Sequence, residues 1–347
     1  MAVVNALSDY FKLTSYREYE QRTHTAEFHE GVLEKEDIKS NSKGKHGTVV
    51  EFRSSKKYMG DNVRMPVDKL VEWTESLFYL NADALKRRNI TAVFTIYDGM
   101  TVKNVYKMKP QNFSDLVEKI VPANIKKKDL SDMTAFSGGT TFMENTKKLI
   151  ETPDGEPTVE MVEEEKEIHM DIAFRYTTSI EMNERATFNT YCNCTNTIEN
   201  GSHLLAFDES YCRFMQSKIN ATMSDAQRDK LKITWDDIRT NLFCVINLSS
   251  NAYVGFVGNA KQKINCEDLI PYMKDVVTHG LETFYANNPS VLNDYIKIVK
   301  LNAKARLEAQ KAKTATQTER LNALKEHEMK NLIRCNNTGK NQFKEIN

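Results

Sequence analysis

Apolar and polar positions follow two periods along this chain. Val3, Val4, Leu7 and Phe11 recur at helical spacing, which predicts an amino-terminal helix without a capping residue, since only Met1 and Ala2 precede the pattern. Phe28–Val32, Thr48–Phe52 and Ala92–Tyr97 read as strands, and Asp98-Gly99 supplies a hairpin turn because both residue types tolerate positive φ. Val67–Leu80 lies between the last two strands and is helical in pattern. Farther along, Ile168, Met170, Ile172 and Phe174 alternate with His169, Asp171, Ala173 and Arg175, as in a strand with one face on a core. That alternation sets His169 on a surface or interface rather than in a ligand set. From Val291 to Ile333 the chain has no proline or glycine and is rich in Ala, Leu, Lys and Glu, which predicts one long helix with Leu292, Ile296, Val299 and Ala303 on its packed stripe.

These elements predict a mixed α/β (α+β) chain, and its 347 residues suffice for two cores. A composition break follows Lys109-Pro110. Beyond a short helix at Phe113–Ile120 come the lysines 126–128, the small residues Ser137-Gly138-Gly139 and an acidic passage from Glu151 to Glu167. We read this stretch as an inter-domain region whose glutamates stay in water, because like charges do not pack together. Charge balance over the whole chain is neutral, with 48 basic and 48 acidic residues, so any electrostatic argument has to be local. No apolar run approaches the length of a membrane span and no secretory signal is present, which gives the expectation of a cytoplasmic protein without a membrane partner. The six cysteines, at 192, 194, 212, 244, 266 and 335, show no C-x-x-C pairing and are expected to be reduced structural thiols.

Three segments then stand in a specific order: TNTIENGSHLLAF (Thr195–Phe207), ITWDDIR (Ile233–Arg239) and FVGNAKQK (Phe256–Lys263). In this order and at these distances they resemble the ATPase subunits of type II DNA topoisomerases, the gyrase B group. There an NTI–GGTH-type turn opens the transducer domain, an L-T-x-E-D-I/V-R segment leads into a strand, and the lysine of a Q-T-K loop reaches the ATP γ-phosphate. The corresponding loop here is Asn259-Ala260-Lys261, with the lysine kept and the glutamine and threonine replaced. The resemblance implies that Lys261 is a catalytic, γ-phosphate-binding residue and that Asn259 contributes to the same contact. GKHGTVVEF resembles the G-T-x-V-x-F strand whose threonine helps hold the adenine, which implies a nucleotide-binding role for Thr48; glycine before a β-branched run is also an ordinary strand start. His203 either ties its turn to the following helix or touches DNA or a partner domain.

The resemblance implies a GHKL-type ATPase sandwich, truncated here to 1–112, a transducer domain with a left-handed βαβ crossover at 113–289, and a long helix at 290–347 leading toward a TOPRIM cleavage domain. It implies ATP and Mg2+ as cofactors, DNA as a partner, a homodimer in the assembled enzyme, and coupling of ATP use to gate movement during double-strand passage. The family's base-bearing helix, its magnesium-holding asparagine, its D-x-G-x-G adenine loop, its G-x-x-G-x-G lid and its E-G-D-S cleavage motif do not occur in the sequence. The opening AVVNALS resembles the helix that follows the lid, so companion polypeptides are expected to supply the ATP pocket and the cleavage core, and the chain alone is expected to be inactive. Between Lys297 and Lys313 the long helix carries six basic residues against Glu308 alone, either a solvated face or one that meets phosphates. The alternative reading is a non-enzymatic DNA-binding or assembly module on the transducer fold. A mismatch-repair type of ATPase fits ITWDDIR and the long helix less well.

Overall fold

A computed structural model describes residues 1–40, 45–61, 66–151, 157–178, 185–258 and 261–331. The described chain forms two compact units, Met1–Val71 and Glu72–Asn347.

In the first unit a short helix α1 (Ala2–Ala6) leads into a sheet of β1 (Ser8–Arg17), β2 (Arg22–His29), β3 (Val32–Ser40) and β4 (Gly47–Ser54), in the order β3-β2-β1-β4 and antiparallel throughout. One turn of helix, α2 (Lys56–Met59), follows. The helix expected to carry Phe11 therefore ends five residues earlier. Phe11 belongs to β1, where it pairs with Phe28 and Phe52 and is buried in their company. The strand expected over Phe28–Val32 is in fact the end of β2 and the start of β3, turned at Glu30 and Gly31, which both adopt positive φ. Sheet register sorts the side chains cleanly. Phe11, Leu13, Phe28, Ala26, Phe52 and Val50 share one face, whereas Lys12, Glu27 and Glu51 share the other, with Lys12 bonded to Glu27 at 3.0 Å.

The unit boundary falls within α3 (Val67–Leu80), which has the bounds its apolar pattern predicts. The second unit continues with α4 (Ala82–Arg87) and the hairpin β5 (Ala92–Asp98) and β6 (Thr101–Met108), turned at Gly99 as expected. After α5 (Leu116–Ile120) comes the largest departure from expectation. The acidic stretch is no linker: β7 (Thr134–Glu151) and β8 (Pro157–Tyr176) form one continuous antiparallel hairpin. The glutamates are accommodated because strand alternation spreads them over two faces and lysines meet them, as where Glu164 sits between Lys148 and Lys166. Those contacts hold the Glu164 carboxyl down at about 2.

β8 enters a five-stranded sheet of order β10-β9-β11-β8-β7, in which β9 (Thr187–Cys192) and β11 (Leu242–Ser250) run parallel. A tight turn through Asn193 and Cys194, both at positive φ, joins β9 to β10 (Thr195–Asn196). Between β9 and β11 the chain crosses over through α6 (Ser202–Ala221), α7 (Asp225–Leu231) and α8 (Trp235–Arg239); α9 (Ile270–Asn287) and α10 (Pro289–Asn331) follow β11. One sheet face packs on α6, α9 and the first turns of α10 around Phe174, Phe207, Tyr211 and Tyr295. The other is covered in part by α5, with Leu116 and Val117 against Ala173, Phe243 and Val245. Covered on both faces, β11 is buried at every residue from Leu242 to Leu248, which explains its apolar run from Leu242 to Ile246. ITWDDIR, expected to lead into a strand, first makes the helical turn α8, because Thr234 and Asp237 cap it reciprocally.

Candidate functional site

Residues from all three segments that carry the resemblance, among them Ser202, Arg239 and Lys263, line one cavity of the second unit. Thr190 on β9 starts a buried network: its hydroxyl meets the Thr197 hydroxyl at 2.7 Å and the Asn200 side-chain oxygen at 3.1 Å. The Thr197 hydroxyl in turn meets His203 Nε2 at 3.1 Å. His203 is fully buried, and its other ring nitrogen has no hydrogen-bond partner. Burial pushes its pKa down to about 4, so the ring is neutral. Of the two roles open from sequence, the structure supports the first, a histidine that ties the turn to α6.

Because the folded pKa lies below that of an unfolded histidine, the unfolded chain binds the extra proton between about pH 4 and 6.5. Stability from this site is complete above pH 6.5 and declines as the pH falls toward 4, by on the order of 3 kcal/mol. Urea midpoints measured at pH 7 and pH 5 should show a smaller difference in His203→Gln than in the parent chain. Equal differences would remove His203 from the account.

After Asn200 and Gly201, at φ 62° and 144°, helix α6 begins. Downstream of β11 the chain runs out through Gly255–Val257 and returns through Lys263–Asn265, closed by Val257 N donating to Lys263 O at 2.8 Å and Asn265 N to Gly255 O at 2.7 Å. Lys261 stands at the tip of this excursion, exposed, at φ 53°. Its ammonium lies 5.4 Å from the centre of the Phe256 ring, and among the described residues no carboxylate is paired with it. Asn259 and Ala260 lie outside the described residues. Lys263, two residues along, faces differently: it lines a cavity of about 1120 Å3 between the start of α6, α8 and the start of α9, beside Arg239 and Asp208, whereas Lys261 does not. Thr48 belongs to the first unit, exposed on β4 opposite Ser15, on the same face as Val50 and Phe52. The structure thus puts Lys261 on the expected loop and Thr48 on the expected strand, in separate units.

The basic helix is less free than its sequence suggests. Arg306 Nε and Nη2 reach the two Asp237 oxygens at 2.7 and 3.0 Å, Lys297 is bonded to Asp294 at 2.8 Å, and Lys300 donates to the Thr222 hydroxyl at 2.9 Å. Asp237 is 2% exposed and also accepts from the Thr234 backbone and hydroxyl, so Arg306 closes α10 onto α8. Sequence reasoning missed this pairing, although the T-x-x-D capping spacing was there to find Asp237.

His169 lies half-exposed, as expected of a surface position, in a polar cluster with Ser137 and Asp171. Its Nε2 approaches both Ser137 Oγ, at 2.8 Å, and Asp171 Oδ1, at 3.3 Å. A hydrolytic triad needs serine and acid on opposite ring nitrogens, so the cluster is not one. The hydrogen bond with Asp171 raises the His169 pKa. Among the described residues no group of three or more His, Cys, Asp or Glu side chains is placed to hold a metal ion.

Comparison with known proteins bears on the family and the fold. The gyrase B subunit of Cytophaga hutchinsonii is 24% identical over 324 residues, covering 91% of this chain and 58% of its own, and that of Mycoplasma pneumoniae is 24% identical over 324 residues and 44% of its own. The chain therefore spans about half the length of the curated relatives it matches. Among solved structures, the 43K ATPase domain of Thermus thermophilus gyrase B in complex with an aminocoumarin superposes with a TM-score of 0.62 at 20% identity, over 90% of this chain and 73% of that one. The topoisomerase IV ATP-binding domain of Francisella tularensis gives 0.56 at 17% identity, over 88% of this chain and 72% of its own. Both share the fold. The family model for DNA gyrase B matches residues 110–315, more than half of the chain and all three diagnostic segments, and the chain belongs to that family.

Proposed function

We propose that this chain is the central, nucleotide-sensing part of an ATP-dependent type II DNA topoisomerase. The observation that carries the reading is Lys261: an exposed cation at the tip of a loop hydrogen-bonded to the turn that opens α6, in the family's order of segments. A lysine so held can neutralise charge on the transferring γ-phosphoryl group of ATP. Because it is delivered from a domain other than the one that holds the nucleotide, forming the contact also moves that domain, which couples ATP binding to a gate. In this reading residues 1–112 belong to the ATPase domain, with Thr48 beside the adenine. Residues 113–289 are the transducer, Asn259 assists Lys261, and 290–347 lead toward the cleavage core. Magnesium, the general base and the phosphate-cradling glycines belong to parts of the family's length that this chain does not span. Duplex DNA, met through Lys304, Lys311 and Lys313 of α10, which have no ion-pair partner among the described residues, a second copy of the subunit and the cytoplasm complete the proposal.

The 347-residue chain by itself should hydrolyse no ATP above background, because a lysine and a threonine cannot replace a base, a metal ligand and a phosphate cradle. Joining it to the part that bears the ATP pocket, on the same or a separate polypeptide, should produce turnover. Turnover by the chain alone, or none in a stoichiometric assembly, would overturn the proposal.

A further inference from the structure

The arm of the lysine loop that returns toward α9 does not stand alone. On one side it pairs with the outgoing arm at Gly255–Val257. On the other it pairs with the Glu199–Ser202 turn: Glu199 N donates to Gln262 O at 2.9 Å, Ile264 N to Asn200 O at 3.2 Å, and Ser202 N to Ile264 O at 3.3 Å. A fourth bond runs from Cys266 N to the Ser202 hydroxyl at 2.9 Å. The result is a small three-stranded ladder whose middle member, 262–264, ends one residue from Lys261. Ile264, at its base, is 1% exposed and packed in the main core.

Gly201 makes the close approach possible. A Cβ there would overlap the Ile264 carbonyl oxygen and stand 2.8 Å from Ile264 N and Cγ1, and at φ 144° a side chain would be strained in any case. Across that contact the loop reaches α6, a 20-residue helix whose first turn is buried at Ser202 and His203. We propose that Gly201 and Ser202 are positioning residues for Lys261: they join the lysine loop to the amino terminus of α6, so that the lysine and that helix move as one body and displacement of the lysine passes into α6. The inference rests on the reading of Lys261 given above.

Two experiments test it, and they fail separately from that reading. On the chain alone, amide exchange across 255–266 should rise about fivefold in Ser202→Ala, the scale expected for one lost hydrogen bond, and return in Ser202→Thr, while β8 and β11 stay protected. Unchanged exchange in Ser202→Ala would overturn the coupling. In the assembled enzyme, Gly201→Ala should lower kcat on the order of 100-fold with KM within a few-fold, as expected when a reacting group is misplaced by about an ångström. Combined with Lys261→Ala, it should add nothing to the loss from Lys261→Ala alone. Full additivity, or normal turnover in Gly201→Ala beside an impaired Lys261→Ala, would overturn this inference and leave the role of Lys261 standing. An inert Lys261→Ala would overturn both.

Discussion

Lys261→Ala should lower ATP turnover of the assembled enzyme roughly 100- to 1,000-fold while changing nucleotide affinity only a few-fold. The asymmetry follows from where the charge acts. A lysine brought onto the γ-phosphate from a second domain interacts most strongly when negative charge redistributes toward the departing oxygen, so its loss raises the barrier more than it weakens the ground-state complex. Lys263→Ala is the internal control. It removes the same charge from the same loop, but its side chain borders the cavity between α6, α8 and α9, away from the tip. Comparable losses from both substitutions would reduce Lys261 to an ordinary loop lysine, and the mechanism would then rest on fold alone.

The second large effect concerns stability. Arg306→Ala should destabilise the second unit by about 3 kcal/mol or more, because it strips a two-pronged partner from an aspartate that is 2% exposed and leaves that charge buried. Arg306→Lys should recover only part of the loss, since an ammonium cannot reproduce the fork that meets both oxygens. Urea unfolding followed by circular dichroism reads both variants. A loss below about 1 kcal/mol in Arg306→Ala would show that Asp237 finds enough partners in Thr234. The same geometry narrows the DNA-facing proposal for α10 to Lys304, Lys311 and Lys313, because Arg306 is committed to the fold.

What could be read from the sequence follows from how local the determining interactions are. Helix α3 and the hairpin at Gly99 are set by spacing within a few residues, and both were legible. So was α10, whose Ile296, Val299 and Ala303 are buried along the predicted stripe. The β7–β8 hairpin was not. Its glutamates look like a solvated run until Lys148, sixteen positions before Glu164, is seen across the ladder, and that pairing has no local signature. Glu30 misled for another reason: a glutamate at positive φ ends β2 where apolar continuity suggested a strand. At the site, the order of the three segments pointed to Lys261. Its fastening to Gly201 depends on backbone atoms 63 positions from Ile264, and backbone bonding leaves no trace in side-chain identity beyond the glycine itself.

The central claim is that Lys261 meets the γ-phosphate, and affinity labelling tests it most directly. An ATP analogue acylated on its γ-phosphate transfers the acyl group to a lysine amine within reach. In the assembled enzyme Lys261 should carry the label, excess ATP should suppress it, and Lys263 should remain largely unmodified. Labelling of Lys263 in preference, or labelling of Lys261 that ATP does not suppress, would contradict the account.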